Sequence, residues 1–213
     1  MLSLVLLAAH KDPTILIGGE LSQIGGNYHI GGNEYLPFEA CEYVESFLHF
    51  KPFVSIITNI EEDHLDYFKD LNHIITSFVK FASLTSDNGC NIVCIDENTT
   101  QSIVQNVKKK AVTYALNNKN ADYTAENITL EKNGCPTFDI FNKDRKVLSV
   151  SLNVAGDHNI CNALGVTAAC EFLGIEPEYI KSGLEEFRGA KRRFDRLGKT
   201  ETGVDAVSYT HLR

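Results

Sequence analysis

Apolar residues fall in short blocks along the chain, and the period of the blocks changes partway. Phe53-Val54-Ser55-Ile56-Ile57, Asn91 to Ile95 and Ala111 to Ala115 are short apolar runs bounded by polar residues. Such runs read as strands buried on both faces of a parallel sheet. Between the first two, Leu71, Ile74, Ile75, Phe78, Val79 and Ala82 recur at helical spacing, and Ile103, Val104 and Val107 mark a further helix over 99–109. Upstream, residues 1–9 read as a buried helix stopped by Asp12-Pro13, and 14–17 as a strand. Residues 34–40 read as another strand, with Pro37 awkward inside it, and 41–48 as a short helix or turn. After Asp122 the period becomes two: 124–130, 137–141 and 147–154 alternate, with turns at Asn133-Gly134 and 142–145. Helices return over 157–173, with Asp157 as cap, and over 176–187, with Pro177 in the first turn. The pattern predicts an α/β fold: a mostly parallel sheet flanked by helices, with a small antiparallel β annex.

Composition narrows the choice. The chain has 213 residues, a net charge of −8 and 43% hydrophobic residues, enough for one sizeable core. It has no basic stripe, which argues against nucleic acid and anionic membranes as partners. The first nine residues are too short to span a bilayer. Six cysteines show neither C-x-x-C nor zinc-site spacing, and read as buried, reduced thiols of a cytoplasmic protein.

Candidate chemistry lies in four places. The 53–57 run breaks into Thr58-Asn59-Ile60-Glu61-Glu62-Asp63-His64. In open α/β sheets ligands sit beyond the carboxyl ends of strands, so this turn places carboxylates and an imidazole where Mg²⁺ would bind. The competing reading is a polar loop with one solvated histidine. Residues 18–33 carry six glycines in three pairs without a recognised phosphate-binding spacing, and read as a ligand-approaching or mobile loop. Gly156-Asp157-His158-Asn159-Ile160-Cys161-Asn162 opens a helix, with Asn159 and Asn162 three apart and able to point the same way. Paired amides suit an adenine edge; the alternative is simple helix capping. Lys191-Arg192-Arg193, a cationic cluster, suits a phosphate or is a solvated linker.

IGGELSQIGGNYHIGGNEY, FEACEYVESFLHFKP, TNIEEDHLDY, GDHNICNALGVTAA and FRGAKRRFDRLG, in that order over residues 12–198, resemble the Mur ligases. The branch most similar adds L-alanine to UDP-N-acetylmuramate in peptidoglycan biosynthesis. The resemblance implies an ATP-dependent amide ligase that works through an acyl phosphate. Residues 1–195 would be its central ATP-binding domain, and 196–213 a linker and the start of the next domain. By motif, Glu39 resembles a Mg²⁺-binding carboxylate and His64 the imidazole on a second Mg²⁺. His158, Asn159 and Asn162 resemble the adenine-binding group, and Arg193 the arginine that reaches the terminal phosphate; Arg193 and His64 would act in catalysis. Lys80 is the nearest residue to a modified lysine of some relatives, and its position fits poorly. The family's G-T-x-G-K-T loop and first strand are not among these residues. The expectations are therefore little or no ligase activity from these residues alone and exposed sheet edges; after Gly203 the chain matches only the Tyr and His of the family's D-D-Y-A-H-H segment, and 204–213 are expected to be a non-native tail. The alternatives are a non-catalytic adenine-nucleotide-binding module and a sister ligase attaching recycled tripeptide.

Overall fold

The computed structural model describes residues 1–190 and, beyond them, the backbone of Arg193–Lys199 and Asp205–Tyr209. Helix α1 (Leu2–Ala8) leads into β1 (Ile15–Leu21) and β2 (Gly26–His29), an antiparallel pair. The main sheet has six strands in spatial order β3 (Val54–Ile57), β4 (Cys90–Cys94), β5 (Ala111–Ala115), β6 (Tyr123–Leu130), β7 (Pro136–Asn142) and β8 (Arg145–Ser151). Pairings from β3 to β6 are parallel; β6–β7 and β7–β8 are antiparallel. The annex thus continues the parallel sheet edge to edge. Helices α2 (Leu71–Ser83) and α3 (Asn98–Asn106) connect the parallel strands, and α4 (Asp157–Phe172) and α5 (Pro177–Glu186) follow the annex. Strands β9 (Arg193–Lys199) and β10 (Asp205–Tyr209) pair antiparallel in a sheet of their own.

Period-two side chains of the parallel strands divide the core into two layers. Cys90, Ile92 and Cys94 of β4 join α1, α4 and α5, while Val93 and the following Ile95 join α2 and α3. Asn91, fully buried within β4, accepts from Ser55 Oγ at 2.6 Å and Thr85 Oγ1 at 2.9 Å, so its carbonyl is satisfied inside the sheet. Helix α1 crosses α5 at Gly183. A Cβ there would lie 2.4 Å from the Val5 backbone, so only glycine permits the approach.

Five expectations need correction. Strand β3 is fully buried on one face only: Ser55 and Ile57 are buried, whereas Val54 and Ile56 are half-buried, because the layer over their face leaves a hollow that Ile56 lines with Met1 and Leu2. Residues 34–40 form no strand. Pro37 cannot donate to a ladder, and the segment runs beside β1 with one isolated bridge, Leu16–Phe38. The Leu16 N–H still donates to Pro37 O, and the Glu39 N–H to Leu16 O, both at 3.1 Å. Most of the glycine-rich stretch is not a loop: β1 runs through Gly18-Gly19, β2 returns after a 3₁₀ turn at Ser22–Ile24, and only 30–33, with the third glycine pair, stay irregular. Helix α4 is capped by Gly156 at φ 100°, with Asp157 as its first residue and not its cap. Of the cysteines, Cys41 is exposed and Cys161 half-buried; all six are free thiols.

Candidate functional site

The carboxyl end of β3 opens onto a cavity of about 810 Å³. Its wall includes Glu39, Glu42, Thr58, Asn59 and the carboxylates of 61–63. The fold gathers these groups from two directions. The 34–40 segment is tied to β1, and Glu39 Oε2 accepts the Gly18 N–H at 2.9 Å. The other group leaves β3 directly, where Thr58 Oγ1 donates to Asn59 Oδ1 and Asn59 Nδ2 to Glu61 Oε1. Carboxylates facing one cavity from two chain segments form a negative, oxygen-rich surface suited to a hard cation.

His64 sits just past this wall. Its Nε2 lies 3.4 Å from Glu42 Oε1, and its ring packs 4.7 Å from that of Tyr43. The backbone turns sharply there: His64 has φ 52°, its N–H donates to Asp63 Oδ1 at 2.7 Å, and its carbonyl accepts from Tyr67 and Phe68. Val44 and Glu45, on the facing 3₁₀ stretch Tyr43–His49, also have positive φ. Positive φ at non-glycine residues is strained, and such strain clusters where a structure holds side chains for function. Two tyrosines bridge the segments. Tyr43 OH donates to Asp66 Oδ2 at 2.9 Å, and that carboxylate pushes the phenol pKa up. Tyr67 OH donates to Glu45 Oε2 at 3.2 Å. Lys80 reaches Glu45 at 3.5 Å from α2 and is occupied by that pair.

The amide group lies at the start of α4. Asn162 lines a second hollow of about 220 Å³ with Thr58, Ile56, Met1, Leu2, Val166 and Phe187. Thr58 lines both spaces, so the acidic wall and Asn162 meet at the end of β3. Asn159 is turned partly to local use: its Nδ2 donates to Ala155 O at 2.8 Å and approaches His158 Nε2 at 3.1 Å. The His158 ring lies over Gly156, where a Cβ would come within 2.6 Å of it. Both His158 and Asn159 therefore border the glycine turn, while only Asn162 of the three lines the hollow. Arg193 opens β9, and its side chain lies outside the described residues. The sequence reading passed over Asp96. The signal was present, an acid just beyond the buried strand β4, as at β3. Its Oδ2 accepts the Leu116 N–H, and its Oδ1 accepts those of Asn117 and Asn118, all within 3.0 Å.

A family model described as the Mur ligase middle domain matches residues 30–170. The chain belongs to the Mur ligase family. Among curated relatives, the UDP-N-acetylmuramate–L-alanine ligase of Acetivibrio thermocellus is 47% identical over 212 residues, covering 99% of this chain and 45% of that protein. The ligase of the same name from Caldanaerobacter subterraneus is 41% identical, covering 99% and 46%. Among solved structures, the UDP-N-acetylmuramate-alanine ligase MurC of Thermotoga maritima superposes with a TM-score of 0.83 at 28% identity, over 99% of this chain and 46% of that one. This Mur ligase chain spans about half the length of the curated relatives it matches. Among the described residues, no helix is long and apolar enough to cross a membrane.

Proposed function

We propose that this chain is the central nucleotide-binding unit of a cytoplasmic, ATP-dependent ligase that joins L-alanine to UDP-N-acetylmuramate in peptidoglycan biosynthesis. One observation carries the reading: the acidic cavity at the end of β3 adjoins, at Thr58, the hollow that holds Asn162. A magnesium nucleotide needs both kinds of surface side by side, oxygen ligands for the ion and hydrogen-bonding amides for the base. The names and identities of the relatives supply the substrate pair.

In this reading Glu39 and His64 hold Mg²⁺ ions. Glu39 supplies the hard oxygen ligand such an ion prefers, and His64 adds a nitrogen beside the Glu42 carboxylate. Bound there, Mg²⁺ would neutralise charge on the transferring phosphoryl group. His158, Asn159 and Asn162 hold the adenine, and Arg193 reaches the terminal phosphate. The muramate carboxylate attacks the γ-phosphorus and ADP leaves. The amine of L-alanine then attacks the acyl carbon, loses a proton and expels phosphate.

Calorimetric titration of the chain with ADP tests the binding half: saturable binding that requires Mg²⁺ is expected, and binding indifferent to Mg²⁺ overturns it. The reaction is tested in a polypeptide of the relatives' full length carrying these residues. Phosphate release from ATP should require UDP-N-acetylmuramate and L-alanine together. Release that proceeds without L-alanine, or with a tripeptide in its place, overturns the substrate assignment.

A further inference from the structure

Cys94, Asp96 and Cys161 have no part in the proposed reaction, yet the fold brings them together. Cys94 ends β4, Asp96 follows two residues later, and Cys161 lies in the first turns of α4. The Cys94 and Cys161 sulfurs lie 3.9 Å and 3.7 Å from the same oxygen, Asp96 Oδ2. The three donor atoms all lie within 4.8 Å of one another. Asp96 is preset, since the backbone N–H groups of residues 116–118 fix both its oxygens.

We propose that Cys94, Asp96 and Cys161 form a binding site for a thiophilic divalent cation of the Zn²⁺ class, with water as the fourth ligand. Tetrahedral zinc holds sulfur at about 2.3 Å and carboxylate oxygen at about 2.0–2.2 Å, which sets ligand sulfur and oxygen roughly 3.5 Å apart. The two observed separations exceed this by only a few tenths of an ångström, a gap that small side-chain rotations close. Thiolate ligands select soft cations and discriminate against Mg²⁺, so the site is chemically distinct from the carboxylate cavity at β3. Metal binding replaces the thiol protons and releases them to solvent. Cys94 is 6% exposed, whereas Asp96 and Cys161 are half-buried, so an ion and its water would enter from the Cys161 side. Cys161 stands between Asn159 and Asn162, and a bound ion would pin the amide-bearing start of α4 to the end of β4.

The test is titration of the reduced, metal-free chain, kept under a phosphine reductant and free of nucleotide, first with Co²⁺ and then with Zn²⁺. A sulfur-to-cobalt charge-transfer band should saturate at one equivalent and vanish when Zn²⁺ displaces the cobalt. Cys161→Ala and Cys94→Ser should each weaken binding at least tenfold, while C41S, at the exposed thiol, should change nothing. Zn²⁺ should also raise the melting temperature of the unsubstituted chain and not that of Cys161→Ala, a readout that holds if Cys94→Ser folds poorly. Absence of the band, its survival in Cys161→Ala, its loss in C41S, or an equal Zn²⁺-induced rise in Tm for the unsubstituted chain and Cys161→Ala would each overturn the assignment. Because no nucleotide is present, failure here leaves the ligase reading untouched, and failure of Mg-ADP binding leaves this one untouched.

Discussion

The parallel half of the sheet, β3 to β5, and the antiparallel half, β6 to β8, treat polar side chains differently. In the antiparallel half they are spread over the strands and answer one another. Asp139 accepts from Lys146 Nζ at 2.8 Å, Ser149 Oγ at 2.6 Å and Asn127 Nδ2 at 2.8 Å. Tyr123 OH donates to Glu171 Oε2 at 2.8 Å and accepts from Asn142 Nδ2 at 2.9 Å, while Arg145 also reaches Glu171. In the parallel half the strands are apolar apart from the Asn91 cluster and Thr113, whose hydroxyl pairs with Asp122, and polar groups collect past their carboxyl ends. There Glu39 takes a backbone N–H and Glu61 an amide, both at exposed positions facing a cavity. A closed polar network stiffens the structure and offers little to a ligand. Carboxylates held on a cavity wall keep lone pairs for one. The annex is thus read as a brace, and the ends of β3 and β4 as the working edge.

The comparison can be broken most forcefully in the annex core. Phe138, 1% exposed, should cost about 3–5 kcal/mol as Phe138→Ala. Urea denaturation would show this as a lower midpoint, and Mg-ADP affinity below the transition should stay unchanged. Asn91→Ala strikes the single buried polar cluster of β4 and leaves the Ser55 and Thr85 hydroxyls without their acceptor. A loss of about 1–3 kcal/mol is expected in the same measurement. His64→Ala should invert the pattern. Its half-exposed ring and strained backbone predict a stability change within about 0.5 kcal/mol, with Mg-ADP binding weakened roughly tenfold or more by calorimetry. A large loss of stability with unaltered binding would make His64 structural.

The smallest effect is a pH dependence. Lys146, Ser149 and Asn127 hold Asp139 below its ordinary value of 3.8, at about 2. A carboxylate depressed on folding stabilises the native state fully above its unfolded pKa, and the contribution fades as pH falls toward the folded one. Unfolding midpoints followed from pH 5 down to about 2 should therefore fall less steeply for Asp139→Asn than for the unsubstituted chain.

How much of this was written in local sequence varies by element. Strand β5 matches the 111–115 run residue for residue, and α2 follows its apolar stripe, because both patterns are set by neighbours a few positions away. The turn after β3 was legible for the same reason: an apolar run broke into acids. The edge position of β3 was not legible, since an apolar run does not state how many strands flank it. Pro37 hid a second feature. It prevents a ladder, yet residues 34–40 still run beside β1 and deliver Glu39 to the cavity. The convergence of Cys94 and Cys161 was hidden most deeply. Sixty-five positions separate Asp96 from Cys161, so no spacing rule for metal ligands could have joined them.

The crossing of α1 and α5 at Gly183 has a consequence for synthesis on the ribosome. About 170 residues lie between the two helices. At roughly 5–20 residues per second, α1 is complete some ~10–30 s before its partner emerges. Throughout that interval Leu4, Val5 and Leu6, which end at most 2% exposed, have no α5 to cover them. The nascent chain must shelter this apolar turn, by transient collapse or by a chaperone, until α5 arrives to close over it.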